Sequence, residues 1–256
     1  QIASLKRILD VESMKCNELI ATFFPTPLVN TIKEGQTNQV HLTIPSATIL
    51  FVTLPNLEVI TGDHETGLKV LAAFADEANT LLESHPSLTL IKMYGSSLML
   101  VGGIFNCNDI TDGAHTLERT LTPQRSSMNG PITHQMNSDE SDSIDHSVDT
   151  VSYAIDLIHA VGRLANEMNL ELNCTAGINI CSSVTVGVVG EKRPSIEVIG
   201  NGVFHAQIMN ETAQPKTIHI TEALYNTIFS AGFVIREDKN VEIGEKKMKT
   251  FCVVDY

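Results

Sequence analysis

The stretch Ala47-Thr48-Ile49-Leu50-Phe51-Val52 constrains the fold more than any other in this chain. It is β-branched and almost wholly apolar, with no polar side to turn toward water. A strand of this kind sits inside a sheet covered on both faces. The segments around it supply strands and covers. Residues 66–83 place Leu68, Leu71, Phe74, Ala75, Ala78, Leu81 and Leu82 at helical spacing, which predicts an amphipathic helix lying on the sheet. Residues 87–94 and 97–105 are apolar runs broken at Gly95-Ser96-Ser97, the simplest pattern of a hairpin. A long helix is expected over 148–168. A second hairpin is expected from 170–180 and 184–189, turning near Cys181-Ser182-Ser183. A short helix follows at 203–210. Ile218-His219-Ile220 reads as a strand, and Thr221-Glu222 starts a helix as cap and first-turn acid. Strands near 232–236 and 249–254 close the chain. Helices between strand pairs imply an α/β sandwich: a mixed, ferredoxin-like sheet with helices on its faces.

Two segments fall outside this pattern. Residues 2–24 space their apolar side chains as one helical stripe, which needs a partner from its own domain or from a second chain. Pro25 and Pro27 interrupt it, and a short helix through Leu28, Val29 and Ile32 ends at Gly35. Residues 106–149 hold eight acidic and two basic residues and few large apolar side chains, and they read as a long flexible acidic insertion. The expected organisation is lead-in and signalling helices over 1–45 and one domain over 46–256 that carries the insertion. The chain starts at Gln1 already in helical pattern, which leaves room for more protein upstream.

Composition narrows the function classes. A net charge of -13 disfavours nucleic acid and anionic lipid as non-specific partners. No apolar run reaches the roughly 20 residues of a membrane-spanning helix. Five cysteines without a CxxC spacing suggest reduced thiols and a cytoplasmic setting, and the nine histidines show no metal-ligand spacing.

Several stretches carry a family likeness. Gly187-Val188-Val189-Gly190-Glu191-Lys192-Arg193-Pro194 resembles the GVVGSKRP stretch of class III adenylyl and guanylyl cyclases, and Glu197-Val198-Ile199-Gly200-Asn201 is similar to the DVWGDTVN that follows it. Ala47 to Phe51 resembles the ATVLF first strand, and Met248-Lys249-Thr250-Phe251 the MKTY closing strand. Thr22-Phe23-Phe24-Pro25 and Gly35 are similar to the LLP…LxxG lead-in helix. The likeness runs from about residue 16 to the end, apart from the insertion.

The resemblance implies a reaction and then puts it in doubt. Such cyclases close a nucleoside triphosphate to a cyclic monophosphate with two divalent ions, which activate the 3'-hydroxyl and neutralise the phosphates. The family's two metal-binding aspartates fall on Thr53 and Ser96, both neutral hydroxyls, whereas Mg²⁺ and Mn²⁺ favour anionic oxygen. The base-reading lysine is placed two residues before the lysine of the KTIGD motif, on Leu90, and the base-reading acid on Glu197. The ribose-orienting asparagine falls on Phe204 and the transition-state arginine on Ile208. The phosphate lysine of the KGKG loop falls in Ile243-Gly244-Glu245-Lys246-Lys247, where a one-residue slip would supply Lys246.

On these positions no metal and no complete catalytic set are expected. Phe204 and Ile208 are expected to fill part of the nucleotide space. The favoured reading is a degenerate cyclase-like regulatory or structural module that pairs, head to tail, with itself or with another cyclase domain. It would belong to the cytoplasmic part of a larger membrane-anchored or assembly-bound protein. The alternatives are an active cyclase using Mg or Mn at an atypical site, and an architectural part of a large assembly.

Overall fold

The computed structural model describes residues 2–23, 41–104, 138–190, 192–243 and 246–255. Helix α1 spans Ile2–Phe23. Strands β1 (His41–Ile44) and β2 (Ala47–Thr53) lead through the short helix α2 (Leu57–Thr61) to α3 (His64–Leu82). The hairpin β3 (Leu88–Tyr94) and β4 (Ser97–Gly102) follows, then the long helix α4 (Ser138–Met168). After it come β5 (Thr175–Cys181), β6 (Val184–Val189), β7 (Ser195–Ile199) and α5 (Asn201–Thr212). The chain finishes with β8 (Ile218–Thr221), α6 (Glu222–Ile228), β9 (Val234–Glu237), β10 (Val241–Ile243), β11 (Lys246–Met248) and β12 (Thr250–Asp255).

The main sheet has seven strands in the order β3-β4-β2-β5-β8-β12-β9. Its neighbours are antiparallel except β5 and β8, which run parallel. β2 lies between β4 and β5, as its two-sided apolar sequence requires. Its alternate residues separate two cores. Leu50 and Val52 face the helices and join Phe74 of α3, Tyr153 and Leu157 of α4 and Leu224 of α6. Ile49 and Phe51 face the other way, against Val186, Val198 and Ala206. That second face is covered by α5 and by a small sheet ordered β1-β6-β7.

Local chemistry explains the ends of the elements. Asp63 caps α3, accepting from Thr66 N at 2.8 Å. Tyr153 Oη donates to Ala78 O at 3.0 Å, which satisfies a buried hydroxyl and fastens α4 to α3.

Three expectations change. The second hairpin does not form. β5 is already paired on both edges, with β2 and β8, so it has no edge left for β6. The chain crosses at Ser182-Ser183 into the small sheet, where β6 pairs with β1 and β7. The long helix starts at Ser138, ten residues before the expected 148, so the last part of the acidic stretch is helical. β5 begins at Thr175 rather than 170. The short helix expected at 28–35 and residues 106–137 of the insertion lie outside the described residues.

Candidate nucleotide and metal site

The positions singled out for chemistry gather on the face of the main sheet that carries α5. Thr53 ends β2. It is opposite Ser97 in β4 and opposite Thr175 in β5. The turn of the β3–β4 hairpin is Gly95-Ser96, with Gly95 at φ 57°, a value that glycine takes at little cost. Leu54 N donates to Ser96 O at 2.9 Å, so the end of β2 and this turn are fixed against each other.

What occupies that corner is a chain of neutral groups. Thr53 Oγ1 and Ser97 Oγ are 2.8 Å apart. Asn210 Nδ2, from α5, donates to Thr53 Oγ1 at 2.7 Å. Asn210 Oδ1 accepts from Thr175 Oγ1 at 3.0 Å. Asn210 is buried, so both ends of its amide are satisfied inside the protein. None of these four groups carries charge. A magnesium or manganese pair needs several anionic oxygens, and this set supplies none. The residues therefore do not fit the metal pair that the fold family uses. Of the acids close by in sequence, Asp63 is committed to the cap of α3.

α5 can reach this corner because glycine lies beneath it. A Cβ at Gly177 would stand 1.9 Å from Asn210 N, and one at Gly202 would stand 1.9 Å from Cys181 Sγ. Ala206, Met209 and Asn210 form the buried side of α5. Phe204 does not. Its side chain is 56% exposed, so it fills no pocket within this chain, contrary to expectation. Ile208 is half-buried.

Leu90 and Glu197, the two positions assigned to base reading, do not meet. Leu90 packs into the helix-side core, away from Glu197. The cation that meets Glu197 is Lys92: its Nζ donates to Oε2 at 2.7 Å. The cause is a β-bulge between Leu90 and Lys92 in the pairing of β3 with β4. Simple alternation from Leu88 and Leu90 would send Lys92 to the helix side. Ile91 faces the second core with or without the bulge; as the extra residue it resets the phase after it, so Lys92 falls on the same side and reaches β7. Both members of the pair are 38% exposed, so the pair contributes under about 1 kcal/mol to stability.

Tyr94 and Glu211 are neighbours across the same region. Burial, and then the Glu211 carboxylate, push the Tyr94 phenol up from its ordinary pKa. Gln207 Nε2 donates to Glu211 Oε1 at 2.9 Å. Lys246 opens β11 opposite Ile243, and Gly244 and Glu245 lie outside the described residues. A groove of about 770 Å³ lies elsewhere, between the end of α4, the loop after it and Lys216, and none of the residues above lines it.

A two-layered sheet, α5 over its middle strands, and a strand end beside a hairpin turn define a nucleotidyl cyclase-like domain. Residues 40–255 match the Adenylate and Guanylate cyclase catalytic domain, and the chain belongs to that family. It is 39% identical over 67 residues to Guanylate cyclase alpha of Plasmodium falciparum, a stretch covering 26% of this chain and 2% of that protein. It is 26% identical over 115 residues to the membrane guanylyl cyclase of Dictyostelium discoideum, covering 45% of this chain and 8% of that protein. The matched part is thus a small fraction of either relative's length. Among solved structures, the guanylate cyclase domain of RhGC from Catenaria anguillulae with GTP aligns at TM-score 0.62 and 21% identity, over 84% of this chain and 98% of that one. The adenylyl cyclase CyaB from P. aeruginosa aligns at TM-score 0.65 and 17% identity, over 85% and 97%. At these identities the structures show the fold. Among the described residues, no helix is long and apolar enough to cross a membrane.

Proposed function

We propose that this chain is a catalytically degenerate cyclase domain, acting as a dimerising regulatory or structural module in cyclic-nucleotide signalling. The observation that carries the proposal is the neutral chain Ser97–Thr53–Asn210–Thr175 at the corner where the family resemblance calls for metal-binding carboxylates. A dication placed there would lose its water shell to hydroxyls and an amide, with no negative charge in exchange. Phe204 and Ile208 offer no cation to stabilise charge developing on a phosphate.

A cyclase domain as partner, either a second copy or another member of the family, suits the exposed apolar side chains on this face. Tyr94 of β3, Ile199 of β7 and Phe204 of α5 are all exposed, and β3 and β7 also carry the Lys92–Glu197 pair. Apolar side chains grouped in this way mark an interaction surface more often than a free one. Helix α1, which exposes Leu9, Val11 and Met14, offers apolar side chains to a partner and suits a signalling lead-in. Several relatives are large proteins, one of them named as a membrane cyclase, which suits a place within a longer protein.

A second reading has one observation in its favour. Lys92 and Glu197 stand together as donor and acceptor, as recognition of a purine edge requires, and nucleotide binding could outlast lost catalysis. The test is to melt the purified chain with ATP or GTP and Mn²⁺ while measuring cyclic nucleotide. We expect no product. A melting shift that disappears in Glu197→Gln would establish residual binding. Cyclic nucleotide that also disappears in Glu197→Gln would overturn the degenerate reading.

A further inference from the structure

Away from the candidate site, three side chains from distant parts of the sequence converge. His219 lies in β8, Asp238 directly follows β9, and Cys252 lies in β12. One ligand atom from each falls within 4.8 Å of the other two. His219 Nε2 is 3.8 Å from Asp238 Oδ2, and Cys252 Sγ donates to the same oxygen at 3.0 Å. Tetrahedral zinc, with bonds of roughly 2.0–2.3 Å, separates its ligand atoms by about 3.3–3.8 Å. The two separations to Asp238 Oδ2 lie within a few tenths of an ångström of that range, and the third ligand pair is no more than 4.8 Å apart. We propose that His219, Asp238 and Cys252 form a binding site for a zinc-like transition metal, with water as the fourth ligand.

The surroundings orient each ligand. Thr250 gives its proton to Lys239 O, so Nε2 donates to Thr250 Oγ1 in the metal-free protein. On binding, that imidazole proton moves to Nδ1, which lies 3.2 Å from Met209 O and 2.9 Å from Thr212 Oγ1, and Nε2 is free to coordinate. Asp238 Oδ1 accepts from Lys239 N at 2.8 Å, which fixes the carboxylate and turns Oδ2 toward the cluster. His219 and Cys252 are buried while Asp238 is partly open, so the metal has a way in. Nε2 also meets the Thr250 hydroxyl at 2.7 Å, and that hydroxyl donates to Lys239 O at 2.6 Å. Binding exchanges the Nε2–hydroxyl contact for a nitrogen–metal bond. The thiol proton of Cys252 leaves to solvent, so the metal receives a thiolate and the charge balances. A nitrogen, sulfur and single carboxylate set favours zinc or cobalt over magnesium or calcium. Through Met209 and Thr212 the site holds the last turn of α5, so an occupied site would brace the helix that carries Asn210 and Phe204.

Cobalt(II) is the probe. The full chain is stripped with a chelator, titrated with Co²⁺ and then with Zn²⁺. The expected result is a tetrahedral visible spectrum with a near-ultraviolet thiolate–cobalt band, abolished by Zn²⁺. Cys252→Ser should lose that band, and Asp238→Asn, at a partly exposed position, should bind at least about tenfold more weakly. Cys16→Ser, at an exposed cysteine in α1, should behave as the parent. No thiolate band in the parent chain, a band that survives in Cys252→Ser, or unchanged affinity in Asp238→Asn would each overturn the site.

Discussion

Replacing Gly177 by alanine should unseat α5 from the sheet. The added Cβ would stand 1.9 Å from Asn210 N, 2.5 Å from Asn210 Cα and 2.5 Å from Ala206 O. All three are backbone atoms, so no side chain can swing away. The helix must retreat by roughly 1.5 Å to reach an ordinary contact of about 3.5 Å. The Asn210–Thr53 bond, now 2.7 Å, would then exceed hydrogen-bond range. Overpacking of this kind costs about 1–3 kcal/mol. The two bonds of the buried Asn210 amide add about 1 kcal/mol each. The expected loss is therefore about 3–5 kcal/mol, or a fall in Tm of roughly 6–20 °C for a domain of this size. Differential scanning calorimetry of the parent and Gly177→Ala measures it. A fall of less than about 2 °C would refute the reasoning, because it would mean that α5 does not rest on β5 at that point.

Restoring charge should restore metal binding. The double variant Thr53→Asp, Ser96→Asp keeps Asn210 Nδ2 as a donor to the new carboxylate, and it should bind Mn²⁺ at least about tenfold more tightly than the parent by calorimetry; equal affinity would mean that the two positions do not face one site. Burial pushes the thiols of Cys174 and Cys181 up to about 12 and about 11, so neither should react with a thiol reagent at pH 8, while exposed Cys16 should, as peptide mapping would show. The Thr66 amide, followed by its hydroxyl, holds the Asp63 carboxyl below its ordinary 3.8. A lowered folded pKa stabilises the fold above the unfolded value, and the contribution is lost as pH falls through the folded value. Asp63→Ala should therefore lower Tm at pH 7, and the gap to the parent should close below about pH 3.8; a gap that persists in acid would show that the cap is not the cause.

Much of the architecture was legible because its signals are local. Ala47–Val52 has no polar side, and a strand of that composition belongs between two others. The helix over 64–82 and the β3–β4 hairpin follow from spacing and from Gly95. The second hairpin was misread because Ser182-Ser183 looks like a turn, while nothing nearby reveals that β5 has already used both of its edges. The start of α4 was missed because Ser138 to Asp149 is polar and acidic. Motif likeness pointed to Thr53 and Ser96, and the Leu54–Ser96 bond brings that strand end and that turn together. A motif count does not reveal the bulge after Leu90, so the meeting of Lys92 with Glu197 was not legible. Phe204 was expected to fill nucleotide space from its place in the family motif; within this chain it is exposed, which a motif position does not reveal. His219, Asp238 and Cys252 are far apart in sequence, and only the pairing of β8, β9 and β12 brings them together.

The join between β4 and α4 has a use of its own. A Cβ at Gly102 would lie 2.7 Å from Thr150 Oγ1, and one at Gly103 would lie 2.7 Å from the His146 ring, so the end of β4 is pressed against α4 two turns and more past its start at Ser138. Thr48 of β2 secures the returning side through His146 Nδ1 and Ser147 Oγ, each at 2.9 Å. With β4, β2 and α4 fixed to one another by these contacts, doubling the length of the stretch between β4 and α4 would cost only about 0.6 kcal/mol. The fold thus carries a port at which sequence can be lengthened, shortened or exchanged for a reporter while the rest of the domain stays as it is.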